Sequence, residues 1–446
     1  MGKNDIRHLD EARNYLITTL QESWADFHCD KVLIIEDAFG RFTFGIWGKE
    51  QSTGAITQLL SDIRPFGSDS WFTAPETDSE YDPLELLSSW NEAASIDAEG
   101  AWDDRIRLIV RFRMLPAWQH IEKMPLSHSW TSSVCPIIAF YSFKGGMGRS
   151  TALALFALDR IRQNEHVVVV DLDLDAPGLG TILKTKATAP YGVVDYLIET
   201  PVLGHRPVDL TDYYYSPDLG KLSSTGSLKV FPAGNINNDY LGKMARLDFE
   251  SVDQTMSEQE HPLFELLDHI HETLNPDWIL LDSRTGFSET AGMILSGMCD
   301  FHVLFGVHSE QSWQGLSYAV GKLGAERVIR GLPQAEAMIV HAMVPDVSKE
   351  QRDLVIARFA ERSRAIFEER YYSEIESPRD DHYWYLDDSG DQTSPDYPFS
   401  LLYRTVFSQS ASISDLLDGL ESFSEIRRFC ESLAVRARDS LSGGTQ

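Results

Sequence analysis

Cysteine is scarce in this chain. Cys29, Cys135, Cys299 and Cys430 are scattered and form no CxxC pair, which argues against a disulfide framework and against a thiolate zinc site. No run of eighteen uninterrupted apolar residues occurs, so no membrane span is expected. The opening Met1-Gly2-Lys3-Asn4-Asp5 lacks the apolar core of a signal peptide, and a cytoplasmic location is the expectation. Positive charge is also short. The 39 Lys and Arg face 68 Asp and Glu, a formal net charge of −29. Non-specific nucleic-acid binding needs cations on phosphates, so a chain this acidic is a poor coat for DNA or an anionic membrane, one local basic patch aside. The surplus acid serves solubility or recognition of a basic partner. Between Arg64 and Arg105 neither Lys nor Arg occurs, while acids recur around Trp71, Trp90 and Trp102. A solvated insertion anchored by its aromatics is the plain reading; an acidic, aromatic docking surface is the sharper one.

What is present belongs to an ordinary globular protein. The 446 residues are 43% hydrophobic and 24% charged, enough for two or three domains with sizeable cores. Residues 1–133 read as a separate small α/β module. Helical spacing runs from Ile6 to Phe27, with Leu9, Tyr15, Leu16 and Leu20 on one face. Lys31–Ile35 and Arg41–Trp47 read as a hairpin, a helix is expected over 51–63, and Arg105–Arg113 alternates with period two. Glu36 and Asp37 read as turn residues. Ser127–Cys135 is a short polar linker. Residues 134–446 form the second module, with apolar strands at 136–142, 166–171, 228–232, 278–282, 301–307 and 337–344. Helical stretches lie between several of them, the pattern of a doubly wound, mostly parallel sheet. Tyr371–Ser400 reads as a long loop, and Ile413–Arg438 as one amphipathic helix.

Chemistry centres on Lys144-Gly145-Gly146-Met147-Gly148-Arg149-Ser150-Thr151. An apolar strand precedes this loop and a run of helix formers, Ala152–Leu158, follows it. Strand, glycine-rich loop and helix together present backbone N–H groups to a phosphate, helped by the partial positive charge of the helix start. Two acidic stretches complete the pattern. Val167–Val170 leads into Asp171-Leu172-Asp173-Leu174-Asp175, and alternation sends the three aspartates to one side if the strand continues. Trp278–Leu281 ends in Asp282-Ser283-Arg284-Thr285-Gly286. Carboxylates at the C-terminal edge of such a sheet lie where ligands bind, and this is the order in which an acid holds a Mg²⁺-bound water near a γ-phosphate. Elsewhere the candidates are weak. His269 and His271 are two apart on a helix and face different ways; His302 and His308 read as strand or loop residues. Arg284 either senses a γ-phosphate or pairs within its own loop.

The loop resembles the deviant Walker A motif of the MinD/ParA ATPases, and the likeness covers about 134–345. A P-loop NTPase domain is therefore implied, preceded by a small α/β (α+β) N-terminal domain. The resemblance implies that Lys144 is a signature lysine reaching a partner subunit's phosphates in an ATP-sandwich homodimer. It implies phosphate cradling by the backbone of Gly145, Gly146, Met147, Gly148 and Arg149. Mg²⁺ ligation falls to Ser150, and an α-phosphate contact to Thr151. Asp173 is similar to the switch residue that positions the attacking water, and Asp282 matches the Walker B aspartate, with Asp282–Gly286 as switch II. Asp171 is the further acidic candidate at the metal. Asp175–Leu179, Phe231–Gly234 and Glu310–Leu316 resemble, in order, a variant subfamily whose loop reads KGGVGR and whose members are associated with bacterial signalling or conflict systems.

Two departures stand out. Phe143 occupies the position where the general motif has Gly, and Arg149 stands where the P-loop lysine belongs. A planar, forked guanidinium is not interchangeable with an ammonium. ATP binding is therefore expected more firmly than fast turnover, and no NKxD or TKxD motif for guanine is present. The Met338–Pro345 strand is expected to end near the adenine. The expectation is a slow, Mg-dependent ATPase: a nucleotide-driven dimer switch for an unidentified protein partner, met through residues 1–133. The alternative is a non-hydrolysing ATP-binding scaffold or regulatory subunit.

Overall fold

The computed structural model describes residues 9–36, 40–48, 53–64, 66–67, 72–73, 94–98, 101–110, 118, 135–183, 189–220, 222, 224–247, 262–329, 331–374, 380, 382–407 and 412–442. The chain divides into two compact units, Met1–Met114 and Leu115–Gln446. Most of the polar Ser127–Cys135 stretch, with Asp37, Trp71 and Trp90, lies outside the described residues.

The first unit is a five-stranded mixed sheet with helices. Strands β1 (Cys29–Glu36) and β2 (Phe42–Gly48) form the expected antiparallel pair. Strand β5 (Ala101–Val110) runs parallel to β1, with β3 (Phe72–Thr73) and β4 (Ala94–Ala98) at the edges. The predicted Ile6–Phe27 helix is broken. Leu9–Glu22 is followed by a separate Trp24–Phe27 turn that ends on His28 in the left-handed region. Ala12, Leu16 and Leu20 of the long helix and Ile56, Leu59 and Leu60 of the Thr53–Asp62 helix pack on Val32, Ile34, Phe44 and Ile46. Glu36 is not a turn residue. It closes β1, is buried, and receives both Arg13 Nε and Nη2 at 2.8 Å.

All six predicted strands of the second unit form: β6 (Ile137–Ser142), β7 (His166–Leu172), β8 (Ser227–Phe231), β9 (Trp278–Ser283), β10 (Phe301–Gly306) and β11 (Ala337–Val344). Every pairing is parallel, in the order β12-β11-β10-β6-β9-β7-β8. Strand β12 (Phe399–Leu402) adds a half-buried edge that sequence did not mark, because it is only four residues long and Ser400 interrupts its apolar residues. Strands β6, β9 and β10 are buried at every position, as parallel strands covered on both faces must be. Alternate residues serve two cores. Ile138, Phe140 and Leu280 face the Arg149–Arg162 helix and the C-terminal helices, while Ile137, Tyr141 and Leu281 face the Glu310–Leu323 and Lys349–Arg370 helices.

One expectation changes. The single C-terminal helix is two, Ile413–Ser422 and Ser424–Ser442, because Phe423 takes an extended conformation between them. Tyr371–Ser400 is the long loop expected where it is described before β12, and it is tied to the core: Tyr371 is fully buried, Gln334 donates to the Tyr371 and Trp384 carbonyls, and Leu386–Asp388 forms a 3₁₀ turn.

Candidate functional site

The glycine-rich loop leaves the central strand β6 at the sheet's C-terminal edge. The chain passes from β6 to β7 and β8 on one side and crosses to β10 on the other, so the loop lies where the strand order reverses. That is where open α/β sheets bind ligands. Gly146 and Gly148 take φ of +75° and +77°, a region that costs L-residues about 1–2 kcal/mol each. A Cβ placed on Gly145, Gly146 or Gly148 would meet nothing within 4 Å: the loop borders open space. Gly148 starts the Arg149–Arg162 helix with no side-chain cap, which leaves its first N–H groups for an anion. Met147 is buried in the core and anchors the loop. Lys144 is exposed and, among the described residues, has no ion-pair partner; Ser150 and Thr151 are half-buried.

Arg149 points inward, 7% exposed. Its Nε donates to Asp282 Oδ1 at 2.7 Å and its Nη2 to Asp173 Oδ2 at 3.1 Å. Burial works against its charge, but Asp282 and then Asp173 reverse that and hold the guanidinium above its ordinary pKa. Asp171 and Asp282 are register neighbours on β7 and β9, both fully buried. Burial pushes both carboxyls up. The Asp282 charge adds to the rise at Asp171, whereas Arg149 and the Ser150 hydroxyl oppose it at Asp282. Two polar atoms stay unanswered: Arg149 Nη1 and Asp282 Oδ2 are buried without a hydrogen-bond partner. Such atoms cost stability unless something else meets them.

The three aspartates do not share one side, because β7 stops at Leu172. Asp171 accepts from the backbone of Asp173 at 3.1 Å and of Leu179 at 3.2 Å, and so shapes the turn. That turn carries Asp173 to Arg149. Asp175 swings outward to pair with Arg284, so the ion pair that Arg284 makes is with the Asp175 turn rather than within its own loop. His269 meets the Tyr196 hydroxyl at 3.2 Å, and His302 lies in β10.

Three contributors were not legible in the sequence. The Tyr141 hydroxyl donates to the Gly286 carbonyl at 3.3 Å. Trp118 Nε1 donates to the Ser288 carbonyl at 2.6 Å. Phe143 fills the space over Gly315, where a Cβ would come within 1.8 Å of the ring; the small residue in Glu310–Leu316 was the available signal.

A parallel sheet with this order, a glycine loop after its central strand and acids at two neighbouring strand ends define a P-loop NTPase fold of the α/β class. No family model and no curated protein sequence matches the chain. Solved structures with a similar fold include pNOB8 ParA (16% identity, 68% of this chain and 99% of that one, TM-score 0.44). An ATP complex of McdA from Cyanothece is similar at 13% identity, 68% of this chain, 97% of that one and TM-score 0.43. The MinC:MinD cell division complex of Aquifex aeolicus matches at 17% identity, 49% of this chain, 72% of that one and TM-score 0.33. No helix among the described residues is long and apolar enough to cross a membrane.

Proposed function

We propose that residues 134–446 bind ATP with Mg²⁺ at Lys144–Thr151, hydrolyse it slowly, and dimerise on ATP to switch a protein partner met through residues 1–133. A bacterial signalling or defence system is the proposed setting. The observation that carries the reading is the buried pair of Arg149 and Asp282, each with one unanswered polar atom, at the base of an open glycine cradle. Phosphate oxygens suit the guanidinium, and a divalent cation suits the carboxylate. Among the described residues no cluster of three His, Cys, Asp or Glu could hold a metal; Mg²⁺ fits nonetheless, since it takes one or two protein ligands and completes its shell with phosphate and water.

In this reading the backbone from Gly145 to Arg149 cradles the phosphates, and Thr151 contacts the α-phosphate. Ser150 and Asp282 hold the metal, with Asp171 beside them. Mg²⁺, when bound, neutralises phosphate charge. Asp173 positions the attacking water, and exposed Lys144 reaches the partner subunit's nucleotide. Light scattering of the full chain with Mg²⁺ and ATP tests the switch. Wild type is expected to dimerise and Lys144→Ala to stay monomeric; a wild type that remains monomeric sinks the dimer.

A second reading has its own support. Arg149 engages Asp173 as well as Asp282, so the residue assigned to the water is held by a cation. A non-hydrolysing ATP-binding scaffold would bind ATP and release no more phosphate than an Asp173→Ala control.

A further inference from the structure

Trp118 is gripped at both ends. Its indole Nε1–H donates to the Ser288 carbonyl at 2.6 Å, and its own carbonyl accepts from Lys322 Nζ at 3.2 Å. Lys322 is 1% exposed, and its ammonium lies 5.7 Å from the indole centroid, a contact that strengthens when desolvated. The indole meets Phe287 edge-on at 5.0 Å and Tyr141 at 6.5 Å.

These contacts converge on one loop. Arg284–Ser288 begins directly after β9, whose Asp282 pairs with Arg149, and ends at Ser288, the cap of the Glu289–Met293 helix. Within it Gly286 has φ of +71° and Phe287 is 44% exposed, so neither conformational preference nor deep burial holds the loop. Its ties are specific contacts: Tyr141 donates to the Gly286 carbonyl, Trp118 to the Ser288 carbonyl, which also accepts the Gly292 amide at 2.9 Å, Arg284 pairs with Asp175, and Phe287 meets Phe143 and Tyr318 edge-on.

We infer that Trp118 is a positioning residue for the Arg284–Ser288 loop, which fixes where Gly286 stands relative to Asp282. Its consequence for turnover rests on the ATPase reading above; the pinning of the loop does not. Since Trp118 lies four residues beyond Met114, where the first unit ends, the start of the second unit becomes a determinant of the site's rate.

Two full-length variants test this by amide hydrogen exchange. Trp118→Phe keeps an aromatic ring and deletes the indole donor. Lys322→Met removes the ammonium and leaves Trp118 in place. Without nucleotide, both are expected to speed exchange over 285–288 by about fivefold, as for one lost hydrogen bond, with β9 amides unchanged. With ATP and Mg²⁺, kcat for phosphate release is expected to fall by about fivefold while ATP Kd stays within about twofold. Wild-type exchange over 285–288 in both variants overturns the inference, as does an equal loosening of β9; a loosened loop with unaltered kcat overturns its consequence for turnover. A wild type without phosphate release refutes the ATPase reading alone, and the exchange comparison still decides the pinning.

Discussion

Arg149 Nε and buried Asp282 Oδ1 lie 2.7 Å apart, and Nη2 of the same guanidinium reaches Asp173 at 3.1 Å. One cation therefore serves two acids, Asp282 in β9 and Asp173 in the turn after β7, with Asp171 alongside on β7. Taking these charges out of water is costly, and each is tolerated because the others are there. Under the proposed function, the same arrangement would have to open to admit phosphate and metal.

Removing the cation exposes that balance. Arg149→Ala leaves Asp173 and Asp282 buried without their partner, and is expected to destabilise the second unit by about 3–5 kcal/mol. Millimolar Mg²⁺ is expected to restore part of the loss by replacing the missing charge. Urea unfolding with and without Mg²⁺ reads both effects. An unchanged midpoint means that the pair contributes nothing to stability.

Phe143 and Gly315 give a steric test. Gly315→Ala puts a Cβ within 1.8 Å of the Phe143 ring, so the ring must move, at a cost of about 1–3 kcal/mol. Because Phe143 precedes Lys144, ATP affinity is expected to drop with stability. Gly145→Ala, whose Cβ meets nothing within 4 Å, is expected to leave the melting temperature unchanged. Thermal unfolding with parallel ATP titration separates the two; equal behaviour of both variants refutes the packing argument.

Asp173→Ala removes the acceptor of Arg149 Nη2 and of the Ala176 amide. Phosphate release is expected to fall to background while ATP remains bound, as read by nucleotide analysis of the isolated protein. Release at the wild-type rate would mean that another residue positions the water. Proteins recovered with this variant in ATP are the route to the partner proposed above.

Acid should unfold the second unit through two histidines. Burial pulls His302 down to about 4, against the pull of the Ile294 and Glu336 carbonyls, and pulls His341 down to about 3, with His308 adding to the shift. In the unfolded chain both bind a proton below about 6.5. The stabilisation is therefore complete above that pH and is lost as pH falls towards 4 and below, on the order of 3 kcal/mol for His302 alone. His341 stacks on Phe359 at 4.0 Å, so His341→Phe preserves the packing and is expected to flatten the acid limb of stability against pH. An unaltered limb rules His341 out as a contributor.

Sequence alone determined the elements that report themselves locally. Parallel strands buried on both faces need uninterrupted apolar runs, so β6 to β11 were readable, as was the glycine loop between a strand and a helix. Asp282 was visible because an acid closing such a run lies at the ligand edge. Tertiary structure decided everything that depends on strand order. Arg149 meets Asp173, 24 residues away, and Asp282, 133 residues away, because β9 lies between β6 and β7, a placement no local pattern records. The end of β7 at Leu172 separated Asp175 from Asp171 and Asp173. Phe423 broke a helix whose apolar stripe runs on through it. Trp118 lay in a stretch without periodicity, and its role came from a buried lysine and a carbonyl 170 residues on. Periodicity tells which face a residue presents; it does not tell which neighbour will be waiting there.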